Sequence, residues 1–378
     1  MRGLPPVPRP RLALHVALLA LLALAAAGCR VERVEQPAFT ATPRTVVGEP
    51  RPFRLGFSSL PARLDDAAYV EALDLAALHG ELLLIHRAPS WAEFLPGVEP
   101  SEELRDLTRR ELQAIEERRL TLLYAIDPYR PSDRGRLAAL PEEYADSGIL
   151  NRDLGAALVA EARFIATAYR PAYLAFGVEV NATYDRSPGE YLAYLEVYRE
   201  VYDAVKEVSP QTLVFPTFQY EQLLGATPWE VEHPPRWERL EDFGERLDLV
   251  AIATFPSLIH TVARAIPTDY YSQLREQTEL PIAFAAVGFS SAPGPGGINS
   301  STPPEQRRYL RRLLADAEAL RSPFVVWYAS RDPQFVSDLP VGLLRSVGLQ
   351  DGAGRPKEAW PVWAGAAQRP YEPPSNAP

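Results

Sequence analysis

Residues 154–181 read LGAALVAEARFIATAYRPAYLAFGVEVN. The first half, Leu154–Tyr169, repeats apolar residues at helical spacing, and the second half, Tyr173–Asn181, is a nearly unbroken apolar run behind a Pro. A continuous apolar run of this length is what a strand buried on both faces of a parallel sheet requires. The same helix-then-strand unit recurs outward in both directions. Further strands are expected at Phe53–Ser58, Glu81–His86, Thr121–Asp127, Thr212–Phe218, Leu247–Phe255, Ile282–Val287 and Phe324–Tyr328, and helices at Asp66–Leu78, Glu102–Arg118, Pro188–Val208 and Pro304–Leu320. Eight strands separated by helical stretches predict an α/β fold, a single-domain (β/α)8 TIM barrel. A doubly wound open sheet is the second choice, but the chain has neither a GxGxxG after the first strand nor a GxxxxGK[ST], the loops that would bind a nucleotide in such a sheet. Two long connections stand out, Leu223–Arg236 and the Gly/Pro-rich Ser290–Pro303, and in a barrel such post-strand loops line the active face.

The composition of the 378 residues narrows the chemistry. A net charge of −10 leaves no basic field for nucleic acid. The single Cys, Cys29, excludes an internal disulfide framework and any multi-Cys metal cluster. His79, His233 and His260 show no metal-ligand spacing, and no GxSxG elbow marks a serine hydrolase. Neither a metal nor another cofactor is expected.

Cys29 belongs to an address. Arg2, Arg9 and Arg11 precede an apolar run, Leu12–Ala27, that is shorter than a membrane span and ends in small residues. The sequence Leu-Ala-Ala-Ala-Gly-Cys ending at Cys29 resembles the lipobox of bacterial lipoproteins, with Ala26 where Leu is usual. The resemblance implies removal of residues 1–28 as a signal peptide, lipidation of Cys29, and an exported protein anchored to a bacterial membrane. Residues 29–50 then read as a polar tether, 51–365 as the barrel and 366–378 as a disordered tail. Cleavage removes three Arg and no acid, so the mature chain is more acidic than the whole.

Chemistry in a barrel sits where strands end. The expected strands deliver His86 with Trp91 close behind, then Asp127, Glu179 with Asn181, Tyr220 with Glu221, Phe255, and Trp327 with Asp332 soon after. Aromatic rings beside carboxylates suit sugars, whose C–H faces pack on rings while their hydroxyls meet polar groups. The segments FGVEVN (176–181), PIAFAAVGFSS (281–291), FVVWYASRD (324–332) and GLQDGAGRPKEAWPVW (348–363) resemble, in order and placement, those of clan A glycoside hydrolases. The resemblance implies glycan binding, with Glu179 as general acid/base and Trp327 as a sugar-stacking ring; the strand-end residues His86, Trp91, Asp127, Asn181, Tyr220 and Phe255 are the other candidate substrate contacts. Two positions depart from the family pattern. Ala286 stands where the nucleophilic Glu belongs, and Val178 where Asn usually precedes the acid/base. Retaining hydrolysis needs two carboxyl groups, so the expectation is a glycan-binding barrel impaired or altered in that reaction. Two alternatives stay open: a hydrolase that recruits Asp127, Glu221 or Asp332 as its second carboxylate, and a non-catalytic scaffold for a protein partner. The stripe Tyr191, Tyr194, Tyr198, Tyr202 has helical spacing and reads as helix-to-barrel packing.

Overall fold

Eight parallel strands follow one another in the computed structural model, which describes residues 39–40, 44–229, 231–335 and 341–373. They are β1 Arg54–Ser58, β2 Leu82–Arg87, β3 Thr121–Ile126, β4 Tyr173–Phe176, β5 in two segments (Leu213–Phe215 and Thr217–Gln219), β6 Val250–Thr254, β7 Ile282–Val287 and β8 Phe324–Trp327. Hydrogen bonding orders them β5 first segment, β4, β3, β2, β1, β8, β7, β6, β5 second segment. The two ends of this sheet are thus two halves of one strand, joined through Pro216. Proline lacks the N–H that would continue the ladder, so the first half pairs with β4 and the second with β6. The Thr217 amide still donates to Gly177 O at 3.0 Å on the β4 side. The sheet closes on itself, which rules out the open doubly wound alternative.

The helices start where the sequence supplies caps. Asp65 caps α1 (Asp66–His79), Ser101 caps α2 (Glu102–Glu117), and Asn151 caps α3 (Arg152–Ala168), each side chain accepting a first-turn amide. A short α4 (Val180–Arg186) leads into α5 (Pro188–Val208), and α6 (Pro303–Ala319) and α7 (Trp360–Gln368) complete the outer ring. After β5 and β6 the long helix is replaced by a 3-10 stretch, Trp237–Phe243, and one short turn, Ser272–Arg275. Among the described residues no helix is long and apolar enough to cross a membrane. The tyrosine stripe packs α5 onto the barrel as expected: the four hydroxyls bond Asp242, Phe176 O, Arg246 O and Asp248.

Side-chain parity sets what faces the barrel axis. Tyr173 on β4, Phe215 on β5 and Phe324 on β8 meet in the interior, with Phe324 4.6 Å from Tyr173 and 6.3 Å from Phe215 by ring centroids. Alternation along β8 then turns Trp327 outward, onto Tyr309 and Trp363 of the helical ring, and Tyr328 inward. Below this layer Arg51, fully buried, donates to Ala366 O, Phe53 O and Glu81, and Tyr371 lies 4.6 Å from the Arg54 guanidinium. The start of the expected disordered tail is ordered instead: Ala366 and Ala367 are buried in α7, and Arg51 and Tyr371 form a bridge. The last residues of the expected tether, from Arg44, also bond this floor. All of this belongs to one unit, Ala41–Pro378. Cys29 and the rest of the expected leader lie outside the described residues.

Candidate functional site

The run that decides the fold does not stay extended to its end. Strand β4 stops at Phe176, and Gly177 takes φ +89°, where an added Cβ would sit 2.5 Å from the Tyr194 hydroxyl oxygen. Two residues later Glu179 adopts the left-handed conformation (φ 53°, ψ 45°), which costs a non-glycine residue about 1 kcal/mol. The strain is held by neighbours: the Glu179 amide donates to Thr217 Oγ1 at 2.9 Å, and Asn181 makes paired bonds with the Gln219 backbone. The chain reverses at once into α4, so residues 177–181 form a turn and helix start rather than the predicted strand. The turn presents Glu179 at the C-terminal mouth.

Three of the expected site residues converge there. His86 Nε2 lies 3.1 Å from Asp127 Oδ2. A hairpin after β3, Tyr129–Arg130 paired with Asp133–Leu137, drives Arg134 between the carboxylates: Nη1 donates to Asp127 Oδ2 at 2.6 Å and Nη2 to Glu179 Oε2 at 3.1 Å. The Asp127 side chain is 3% exposed, whereas those of Glu179 and His86 are 23% and 27% exposed. Burial pushes the Asp127 carboxyl up, but Arg134 and His86 outweigh it and hold the group below its usual range. Burial likewise opposes the charge on Arg134, and the two carboxylates reverse the balance.

The opposite side of the mouth is apolar. Ala253, Phe255, Ala329, Leu344 and Val347 form a small cluster, against which Leu60, Leu258, Ala286 and Tyr328 pack. Ala286 sits at a register shift of β7 against β6. The Tyr328 ring stands edge-on to Phe255 (5.8 Å, 88°), and its backbone amide donates to Val287 O at 2.8 Å, beside Ala286. Burial first, then Glu179 across the mouth, pushes the Tyr328 phenol up to about 12.

The remaining candidates are placed elsewhere. Trp327 is fully buried and donates to Val347 O at 2.7 Å, because strand parity points it at the helices, so it does not present a ring at the mouth. Trp91, also buried, donates to Ala138 O at 2.8 Å. Asn181 is used by the turn, and Tyr220 is buried against Tyr270 and Tyr271. Of the alternative second carboxylates, Glu221 is completely buried and accepts from Thr254, Tyr270, Gln219 and the Phe255 amide. Its pKa is raised by that burial. Asp332 is paired with Lys357 at 2.6 Å and accepts the Gly348 amide. Among the described residues no group of three His, Cys, Asp or Glu is placed to hold a metal. Sequence reasoning missed Arg134 and Thr217, and it placed Tyr328 at the end of the eighth strand without giving it a role. Parity along FVVWYASRD would have found Tyr328; Arg134 follows Asp127 too distantly for any spacing rule.

No family model matches the chain, and no curated protein matches it. Solved structures do. An exo-β-1,4-mannosidase from Opitutaceae bacterium strain TAV5 aligns over 87% of this chain and 62% of its own, with TM-score 0.65 and 18% identity. The chain thus spans about three fifths of that protein. A Glu-to-Ala variant of GH5_18 from Bifidobacterium longum subsp. longum, solved in complex with Manβ1-4GlcNAc, aligns over 85% of this chain and 80% of its own (TM-score 0.62, 17% identity). A β-glucuronidase from Ruminococcus gnavus in complex with D-glucuronic acid aligns over 84% and 49% (TM-score 0.52, 12% identity). At such identities the likeness is one of architecture. The closed parallel sheet and its outer helices make this chain a (β/α)8 barrel, the architecture it shares with these structures.

Proposed function

We propose that the barrel binds a glycan at its C-terminal mouth without hydrolysing it by the retaining route. One observation carries the reading: near its end the strand Ile282–Val287 carries Ala286, set in an apolar cluster, and no carboxylate. A retaining mechanism requires a nucleophilic carboxylate about 5–5.5 Å from the acid/base, and an alanyl methyl has no lone pair to attack with. The recruited-carboxylate alternative is disfavoured by occupancy. Asp127 is buried between His86 and Arg134, Glu221 has four donors, and Asp332 is paired with Lys357. A base that must activate water needs an accessible oxygen. Glycan binding is supported by the barrel likeness to enzymes solved with sugars and by the pairing of polar groups with an aromatic ring at one mouth.

The test is calorimetry with β-linked oligosaccharides alongside a reducing-end assay. Saturable binding without release of reducing ends is the expected result. Release that disappears in Glu179→Gln would restore the hydrolase reading, and absence of binding would remove the glycan. We further propose anchoring through Cys29 to a bacterial membrane, outside the cytoplasm. Labelled palmitate should enter the wild-type protein and not Cys29→Ser; label retained by the variant would refute the anchor.

A further inference from the structure

We infer that the mouth accepts a neutral pyranose and rejects a uronic acid, with Tyr328 as the ring on which the sugar lies. The inference rests on the glycan-binding reading and narrows it. The basic groups built into this region are already matched. Arg134 is shared by Asp127 and Glu179. His86 bonds Asp127. Arg87, the next residue, faces outward and grips both oxygens of Glu111. Beyond β8, Arg331 pairs with Glu71 and Lys357 with Asp332. The cluster of two carboxylates and one guanidinium is left with an excess negative charge on the partly exposed Glu179, whose Oε1 carries no bond among the described residues.

Against that wall, hydroxyls are welcome as donors and a second carboxylate is repelled. The opposite wall offers Phe255, Leu258, Leu60, Ala286 and Tyr328, where a carboxylate would lose its water without gaining a partner. A uronic acid is therefore penalised in either orientation. A neutral pyranose satisfies both walls at once, its hydroxyl edge toward Glu179 and His86 and its C–H face on Tyr328. Trp327 is buried in the outer layer, so the ring available for stacking is the next residue, which strand parity turns inward.

The experiment is calorimetry on the full mature chain in detergent with two matched pairs of probes that differ only at C6. These are β-1,4-mannotetraose against the β-1,4-mannuronate tetramer, and cellotetraose against its C6-oxidised form. At least one neutral probe should bind about tenfold or more tightly than its acidic partner, a gap set by one uncompensated charge at close range. Glu179→Gln should narrow that gap by about tenfold, and an unchanged gap would overturn the electrostatic argument. Tyr328→Phe should hold the neutral probe as wild type does, whereas Tyr328→Leu, which keeps bulk without a ring, should lose about tenfold. Equal affinities of the Phe and Leu variants would overturn the stacking role. Equal or tighter binding of the acidic probes would overturn this inference and leave the glycan reading intact; binding of none of the four would overturn both.

Discussion

The mouth of this barrel is built in two halves by opposite means. Over β2 to β4 the inward positions carry His86, Asp127 and Glu179, and the charges are tolerable only because a hairpin outside the barrel inserts Arg134 between them. Over β6 to β8 the inward positions carry Ala253, Phe255, Ala286 and Tyr328, which need no partner beyond good contact. The contrast shows how the two halves depend on their surroundings. The charged half fails when Arg134 is removed, since Asp127 remains buried and uncompensated. An apolar half fails by degrees, with volume lost or charge introduced.

Arg134→Met is the severest test of that contrast. It leaves Asp127 buried without its cation and should destabilise the fold by about 3–5 kcal/mol, read from urea unfolding midpoints. A loss below about 1 kcal/mol would mean that the charged half does not depend on its clamp. Ala286→Glu attacks the other half. It places a carboxylate in the apolar cluster around Phe255 and should cost about 2–3 kcal/mol; a loss below about 1 kcal/mol would mean that the apolar half tolerates a charge.

A pH experiment compares Asp127 with Glu161, which lies behind the charged half on α3. Glu161 accepts the Ser90 amide on its carboxylate, and burial pushes it up to about 7 against the pull of Ser90 and Arg87. A carboxyl raised on folding contributes stability that is complete below its ordinary range and is lost as pH rises toward 7. Glu161→Gln should therefore gain on wild type by on the order of 2 kcal/mol between pH 4.5 and 8, and an identical pH profile would refute the assignment. Asp127 has the opposite sign: held below its usual range, its contribution is present at neutral pH and is lost on acidification. The smallest effect belongs to Thr217→Val, which strips the acceptor from the strained Glu179 amide at a cost of about 1 kcal/mol. It should weaken glycan binding more than its stability loss suggests, because the turn that aims Glu179 relaxes; unchanged binding would show that the turn holds without it.

The fold was legible because the apolar runs and caps are local signals. The predicted helix at Pro188–Val208 matches α5, and Ser101 and Asn151 cap helices as their residue types suggest. That His86, Asp127 and Glu179 come together was legible for the same reason: they lie at or just past strand ends, which share one face of a barrel. The misses have physical causes. Trp327 was assigned to the mouth from its place near a strand end, but a period of two sends neighbours to opposite faces, and Tyr328 has the inward parity. Trp91 and Tyr220 each begin a one-turn helix after a strand, Trp91–Phe94 and Tyr220–Leu223, and that turn packs them into the core.

The sequence by itself determined the barrel and its strand-end carboxylates, since each depends on residues close together in the chain or on the repeating order of elements. The tertiary structure alone decided which of those residues meet. Arg134 reaches Glu179 across 45 positions and Tyr328 lies on Phe255 from a strand two places round the sheet. Such pairings arise from closure of the sheet and from loop packing, and long-range contacts of this kind leave no periodic trace in the chain.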